Sequence, residues 1–167
     1  MLKAIDNLVL VALVLWARRS KTQADLAARL GVSPAGLSRS LKRLTGSGLI
    51  RPGDLSVERE AAAEYLSCGL RYVFPVRPGT FVRGIPTAHS APPLRDEINA
   101  SQDYVWPADF GDATGLGIAP LHENVPALCL THPELHPFFA VLDAIRVGRV
   151  RERRLARDHL ERMLREH

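Results

Sequence analysis

At 167 residues the chain has room for one domain or two small ones sharing a core, and 46% hydrophobic with 24% charged residues excludes a disordered polymer. The formal net charge of +4 conceals three blocks: residues 17–52 carry eight basic groups against the single acid Asp25, residues 53–145 carry five arginines against twelve acids, and residues 146–167 carry eight arginines against four acids. A basic block is the footprint of a polyanion partner, whereas the acidic middle repels one and is expected to face away from it or toward a protein.

Cys68 and Cys129 are the only cysteines, too few and too distant for a disulfide framework, and a reducing cytoplasm is the expected setting. Lys3 followed by the apolar run 8–17 has the look of a secretory leader. The run is far short of the roughly 20 residues that span a bilayer, and it ends in Trp16-Ala17-Arg18-Arg19 without a small-residue cleavage site. No membrane association is expected.

In chain order, Ile5, Leu8, Val9, Ala12, Leu13 and Trp16 recur at helical spacing over residues 4–17, while Leu10, Val11, Val14 and Leu15 cover the opposite side. A helix apolar all round is buried on more than one face. Its second face is expected to meet another chain or the C-terminal half. Residues 22–30 predict a second helix with Thr22 as cap, Asp25 three positions on, and Gly31 as the left-handed residue that ends it. Ser33-Pro34 then opens a third helix, Ser as cap and Pro at the first helical position, with Leu37, Leu41 and Leu44 inward and Gly46-Ser47-Gly48 at its end. Residues 49–51 and 55–57 predict two short strands around Pro52-Gly53-Asp54, a minimal wing.

Residues 58–67 predict a helix, and 69–74 a strand from their aromatic and apolar content. Over residues 75–121 and their edge fall eight of the twelve prolines, which forbid long helices and central strands. An irregular segment with short strands at 80–84 and 104–106 is expected there. Helices follow at 133–147, with Leu135, Phe138, Phe139, Leu142 and Ile145 inside, and at 149–165, with Ala156, Leu160, Met163 and Leu164 on one face. The fold class is mainly α with a small β component (α+β). A winged helix-turn-helix over 1–57 is followed by a Pro-rich α+β part over 58–167.

The run from Thr22 to Ile50 resembles the winged helix-turn-helix of bacterial regulators of the MarR, ArsR and IclR sort. Ala27 stands where two helices touch, Gly31 in the turn, and Leu44-x-Gly-Ser-Gly-Leu-Ile50 leads to a wing. The resemblance covers about a third of the chain and implies binding to double-stranded DNA, as a small transcriptional regulator and not an enzyme. The residues agree with it. Removing the buried stripe from the third helix leaves Ser33, Pro34, Ala35, Gly36, Ser38, Arg39, Lys42 and Arg43, small at the start and cationic at the end. Arg39 is placed to read guanine, Lys42 and Arg43 to hold phosphates, Thr22 and Gln23 to bind backbone phosphate, and Arg51 to sit on the wing side. A homodimer is expected, because two half-sites multiply specificity, with Leu10, Val11 and Val14 joined by Leu160, Met163 and Leu164 at the interface.

Other constellations carry less. Cys129-x-x-His132-x-x-x-His136 with His122 upstream has spacing a zinc ion uses, yet it is one half-site broken by Pro133 and Pro137, and no metal or other cofactor is expected. Gly111-x-x-x-Gly115-x-Gly117 lacks the lysine of a phosphate loop, and Thr87, His89, Ser90 and Asp96 lack a nucleophile elbow. The eight terminal arginines read as a solvated helix face or a second nucleic-acid patch. Rival readings of the whole are an antitoxin-type autoregulator whose C-terminal half grips a partner protein, and a ligand sensor whose Pro-rich middle forms a pocket.

Overall fold

The computed structural model describes residues 1–16 and 22–167. Arg18, Arg19 and Lys21 of the basic block therefore lie outside the described residues. Helix α1 (Ala4–Trp16) runs through the centre of the N-terminal part, and α2 (Gln23–Leu30) and α3 (Pro34–Gly46) pack beside it. The caps are local and made as their residue types dictate. Thr22 Oγ1 accepts from the Asp25 amide at 3.1 Å, and Ser33 Oγ from the Gly36 amide at 3.0 Å. At the end of α2, Gly31 takes φ +62°, its amide bonds the Ala28 carbonyl, and the Val32 amide bonds the Ala27 carbonyl. This is the paired bonding of a Schellman motif.

The wing shrinks to one bridge, Ile50 with Val57, flanked by amide bonds from Arg51 to Ser56 and from Glu58 to Leu49. Beyond it, α4 (Arg59–Glu64), a π-helical turn (Tyr65–Gly69) and α5 (Leu70–Val73) form one helical run. The strand expected at 69–74 is thus a helix end. Ala62, Leu66 and Leu70 are buried four residues apart, a helical stripe, while Tyr72 and Val73 point outward.

The Pro-rich segment holds three strands, each paired with the other two: β1 (Phe81–Pro86), β2 (Tyr104–Pro107) and β3 (Ala113–Gly117). β1 runs antiparallel to both, pairing Ile85 with Trp106 and Val82 with Gly115, while β2 and β3 are parallel. So tight a closure demands glycine. A Cβ on Gly84 would lie 1.9 Å from the Trp106 carbonyl oxygen, and one on Gly115 would lie 2.5 Å from that of Asp103. β3 was not expected from its Gly-rich sequence. Nor was α6 (Val125–Thr131), which carries Pro126 in its first turn, where a missing N–H costs nothing.

Helix α7 (Leu135–Val147) is the spine of the C-terminal half, and α8 (Val150–Glu166) lies along it. α7 is joined to the strands by a buried polar knot. Asp143 accepts from Arg146 Nη1 (2.7 Å), Trp106 Nε1 (2.6 Å) and Thr87 Oγ1 (2.8 Å). Arg146 also donates to the carbonyls of Phe74 and Ala119. Burial pushes the Asp143 carboxyl up, against the pull of Arg146 and the two neutral donors.

A single apolar cluster runs from Leu8 through Leu30, Leu44, Leu66, Trp106 and Phe139 to Leu164, across the boundary drawn at residue 57. This corrects the interface expected on α1. Leu10 and Val11 have no exposed surface, because the chain's own C-terminal half covers the second face of the helix, and Val14 is half-buried. On α8, Leu160 and Leu164 are likewise interior, and Met163 is half-buried. These side chains serve the chain's own core. No helix among the described residues is long and apolar enough to cross a membrane.

Candidate nucleic-acid interface

Two faces of α3 separate the side chains by task. Leu37, Ser40, Leu41 and Leu44 are buried against α1 and α2. Ser33, Pro34, Ala35, Ser38, Arg39 and Lys42 are exposed. Arg39 and Lys42 make no hydrogen bond or ion pair among the described residues, so both cations are available to a partner. Small residues, Ser33 to Gly36, precede them. The result is a helix seated on its core by one stripe, with a slender N-terminal end and two free positive charges facing out.

Arg43 departs from the expected pattern. Its side chain is only 22% exposed, and its guanidinium is bound by both oxygens of Asp6, Nε at 2.8 Å and Nη2 at 2.7 Å. Ser40 Oγ donates to the same carboxylate at 2.6 Å, and the Lys3 amide at 2.7 Å. Burial alone would raise the Asp6 carboxyl, but the donors from Arg43, Ser40 and Lys3 outweigh it and hold the group below its ordinary range. Arg43 is therefore a clamp between α1 and α3 and not a free phosphate ligand. The one hint in the sequence was Asp6, the single acid of α1, 37 residues upstream of its partner.

At the start of α2, Thr22 and Gln23 are exposed, with the Thr22 hydroxyl already engaged as the cap. The first amides of the helix lie beside it and suit an anion, although the Asp25 carboxylate shares that turn. On the wing side, Arg51 is exposed but paired with Glu58, and Asp54 at the tip accepts from the amide and hydroxyl of Ser56. These bonds hold the Asp54 carboxyl low and charged. Arg51 reaches a phosphate only by giving up Glu58.

The helix-turn-helix is gripped from behind by the C-terminal half. Asn124, just ahead of α6, donates from Nδ2 to the carbonyls of Leu30 and Gly31, each at 3.1 Å. Just after α6, His132 meets the Trp16 ring edge-on at 4.8 Å between centroids, and Glu134 accepts from Trp16 Nε1 at 2.9 Å. Arg29 of α2 lies over the same indole at 4.1 Å. The sequence carried no local sign of these contacts.

The other clusters disperse. His136 Nε2 faces the Pro86 carbonyl at 2.7 Å, and His122 Nδ1 accepts from the Asn124 amide. Cys129 is buried, and burial pushes its thiol up to about 12. Among the described residues no three His, Cys, Asp or Glu side chains stand together as a metal site. Ser90 Oγ accepts from the Tyr104 amide and His89 Nε2 faces the Gln102 carbonyl, so neither is directed at the other.

Compared with known proteins, residues 9–59 match the model of the MarR family, from the second turn of α1 to the start of α4. No curated protein and no solved structure matches the chain. Residues 9–59 are thus similar to a MarR-family winged-helix domain, and that match supports a DNA-binding transcriptional regulator.

Proposed function

We propose that the chain is a sequence-specific operator-binding repressor that lays α3 in the major groove. The observation that carries this reading is the contrast on α3 itself. Arg39 and Lys42 are outward and unpaired among the described residues, while Arg43, the neighbouring cation, is fixed to Asp6 and holds the helix in place. Arg39 is in position for a bidentate contact to guanine, and Lys42 for a phosphate. Ser33, Pro34 and Ser38 permit close approach, and the start of α2 at Thr22 and Gln23 holds the backbone alongside. The short wing, with Asp54 at its tip, leaves most of the recognition to α3. Residues 1–57 act as the DNA-binding unit and 58–167 as the regulatory unit, and two copies bind paired half-sites about one helical turn apart.

The test is selection from a random duplex pool, followed by measured affinities for the selected and a scrambled sequence. The reading requires an enriched motif with two related half-sites, bound about a thousandfold or more tighter than scrambled duplex at equal salt. A pool that emerges unenriched contradicts it.

A second reading, an autoregulator whose C-terminal half binds a partner protein, is favoured by two exposed aromatics on the acidic half. Phe81 on β1 and Phe110 in the turn between β2 and β3 are 63% and 56% exposed.

A further inference from the structure

The turn between α2 and α3 sets where the recognition helix points, and its backbone is incompletely satisfied by its own residues. A helix leaves its last four carbonyls without intrahelical partners. In α2 the Schellman bonds serve Ala27 and Ala28. The carbonyls of Leu30 and Gly31 turn instead to Asn124, 94 and 93 residues further along the chain. The amide reaches both oxygens from one nitrogen, with one hydrogen for each. Glycine suits the turn because the residue there has φ +62°, and a Cβ at Gly31 would stand in contact with Asn124 Nδ2 at 3.4 Å.

Asn124 is itself held. Its backbone amide donates to His122 Nδ1 at 3.1 Å, and burial pushes the His122 imidazole down, which favours the neutral ring that such an acceptor requires. At the other end of α6, His132 and Glu134 fix Trp16, on which Arg29 of α2 rests. α6 thus meets the helix-turn-helix at both of its ends, once at the tail of α1 and once at the α2–α3 turn.

We propose that Asn124 is a positioning residue for DNA recognition, through which the C-terminal half sets the α2–α3 angle and so the sequence specificity of α3. This rests on the DNA-binding reading above. Non-specific binding draws on phosphate charge and tolerates a misaligned helix, whereas base contacts do not. Loss of the two hydrogen bonds therefore lowers operator affinity while affinity for scrambled duplex stays the same.

The experiment uses the full chain with Asn124→Leu, which keeps shape and neutrality but removes both donors, and Asn124→Gln, which keeps the amide. Two quantities are read: the ratio of affinities for the selected and scrambled duplexes, and amide hydrogen exchange across residues 30–34 without DNA. Asn124→Leu is expected to lower the ratio by about fivefold or more and to speed exchange at the turn, with Asn124→Gln nearer to wild type. Should Asn124→Leu fail to fold, Asn124→Ala, which lets water reach both carbonyls, takes its place with the same expectation. An unchanged ratio with unchanged exchange overturns the proposal, as does equal loss on both duplexes, which would mark a merely structural residue. A wild type without sequence preference refutes the DNA reading alone, because exchange at the turn is read with no DNA present.

Discussion

The outward face of α3 and the knot around Asp143 use the same kinds of residue in opposite ways. In the knot, Asp143, Arg146, Thr87 and Trp106 are buried and bonded to one another or to backbone carbonyls. On α3, Arg39 and Lys42 are exposed and unpaired among the described residues. A polar group whose partners lie in its own chain fixes the fold. A cation held out on a well-seated helix, with no partner of its own, is available to something else. Arg43 sits between the two cases in sequence but belongs with the knot, since Asp6 takes both of its bonds.

The largest effects should come from disturbing the interior. Val11→Glu places a carboxylate where the chain leaves no exposed surface, and it should cost on the order of 4 kcal/mol or more. Circular dichroism of the variant should show a largely unfolded chain. A folded monomer would instead revive the view that α1 faces a second copy.

Asp143→Ala should follow, at about 3–5 kcal/mol in urea titration, because it strands the Arg146 guanidinium in the core. The double change Asp143→Leu with Arg146→Met should cost less than the single one. If the single variant melts like wild type, the knot is not what joins α7 to the strands.

Asp6→Asn probes the clamp and carries a pH signature. The folded carboxyl titrates below its unfolded value of about 3.9, so its stabilisation is present above that pH and is lost as pH falls through the folded value. Stability of the wild type should therefore decline as acid is added below about pH 4, with a shallower decline in Asp6→Asn. At neutral pH the variant should be less stable by about 1–3 kcal/mol. Equal slopes in acid would show that Asp6 is not held low by its donors.

The parts legible in the sequence were those whose causes lie within a few residues. Thr22, Gly31 and Ser33-Pro34 announce the ends of α2 and α3, and the spacing of Leu37, Leu41 and Leu44 fixes which face is inward. The role of Arg43 was not legible, because it depends on Asp6 in another helix. The same holds for Leu10 and Val11, whose cover comes from the far half of the chain, and for Asn124, which completes a turn more than ninety residues away. β3 escaped because its glycines serve close approach in a three-strand closure and not strand propensity. Residues 69–74 misled through composition: aromatic and branched residues read as a strand, yet burial at Ala62, Leu66 and Leu70 follows a helical period.

The smallest changes in the fold, and the most direct test of function, come from α3. The salt dependence of binding to the selected duplex should be measured for wild type, Lys42→Ala, Arg39→Ala and Arg43→Ala. Lys42→Ala should flatten the slope of log affinity against log salt by about one, on operator and scrambled duplex alike. Arg39→Ala should lose about 1–3 kcal/mol on the operator and relax the preference at one base pair. Arg43→Ala should show itself first as lost stability, through the freed Asp6. If Arg39→Ala and Lys42→Ala both bind the operator with wild-type affinity and slope, α3 is not the surface that meets DNA.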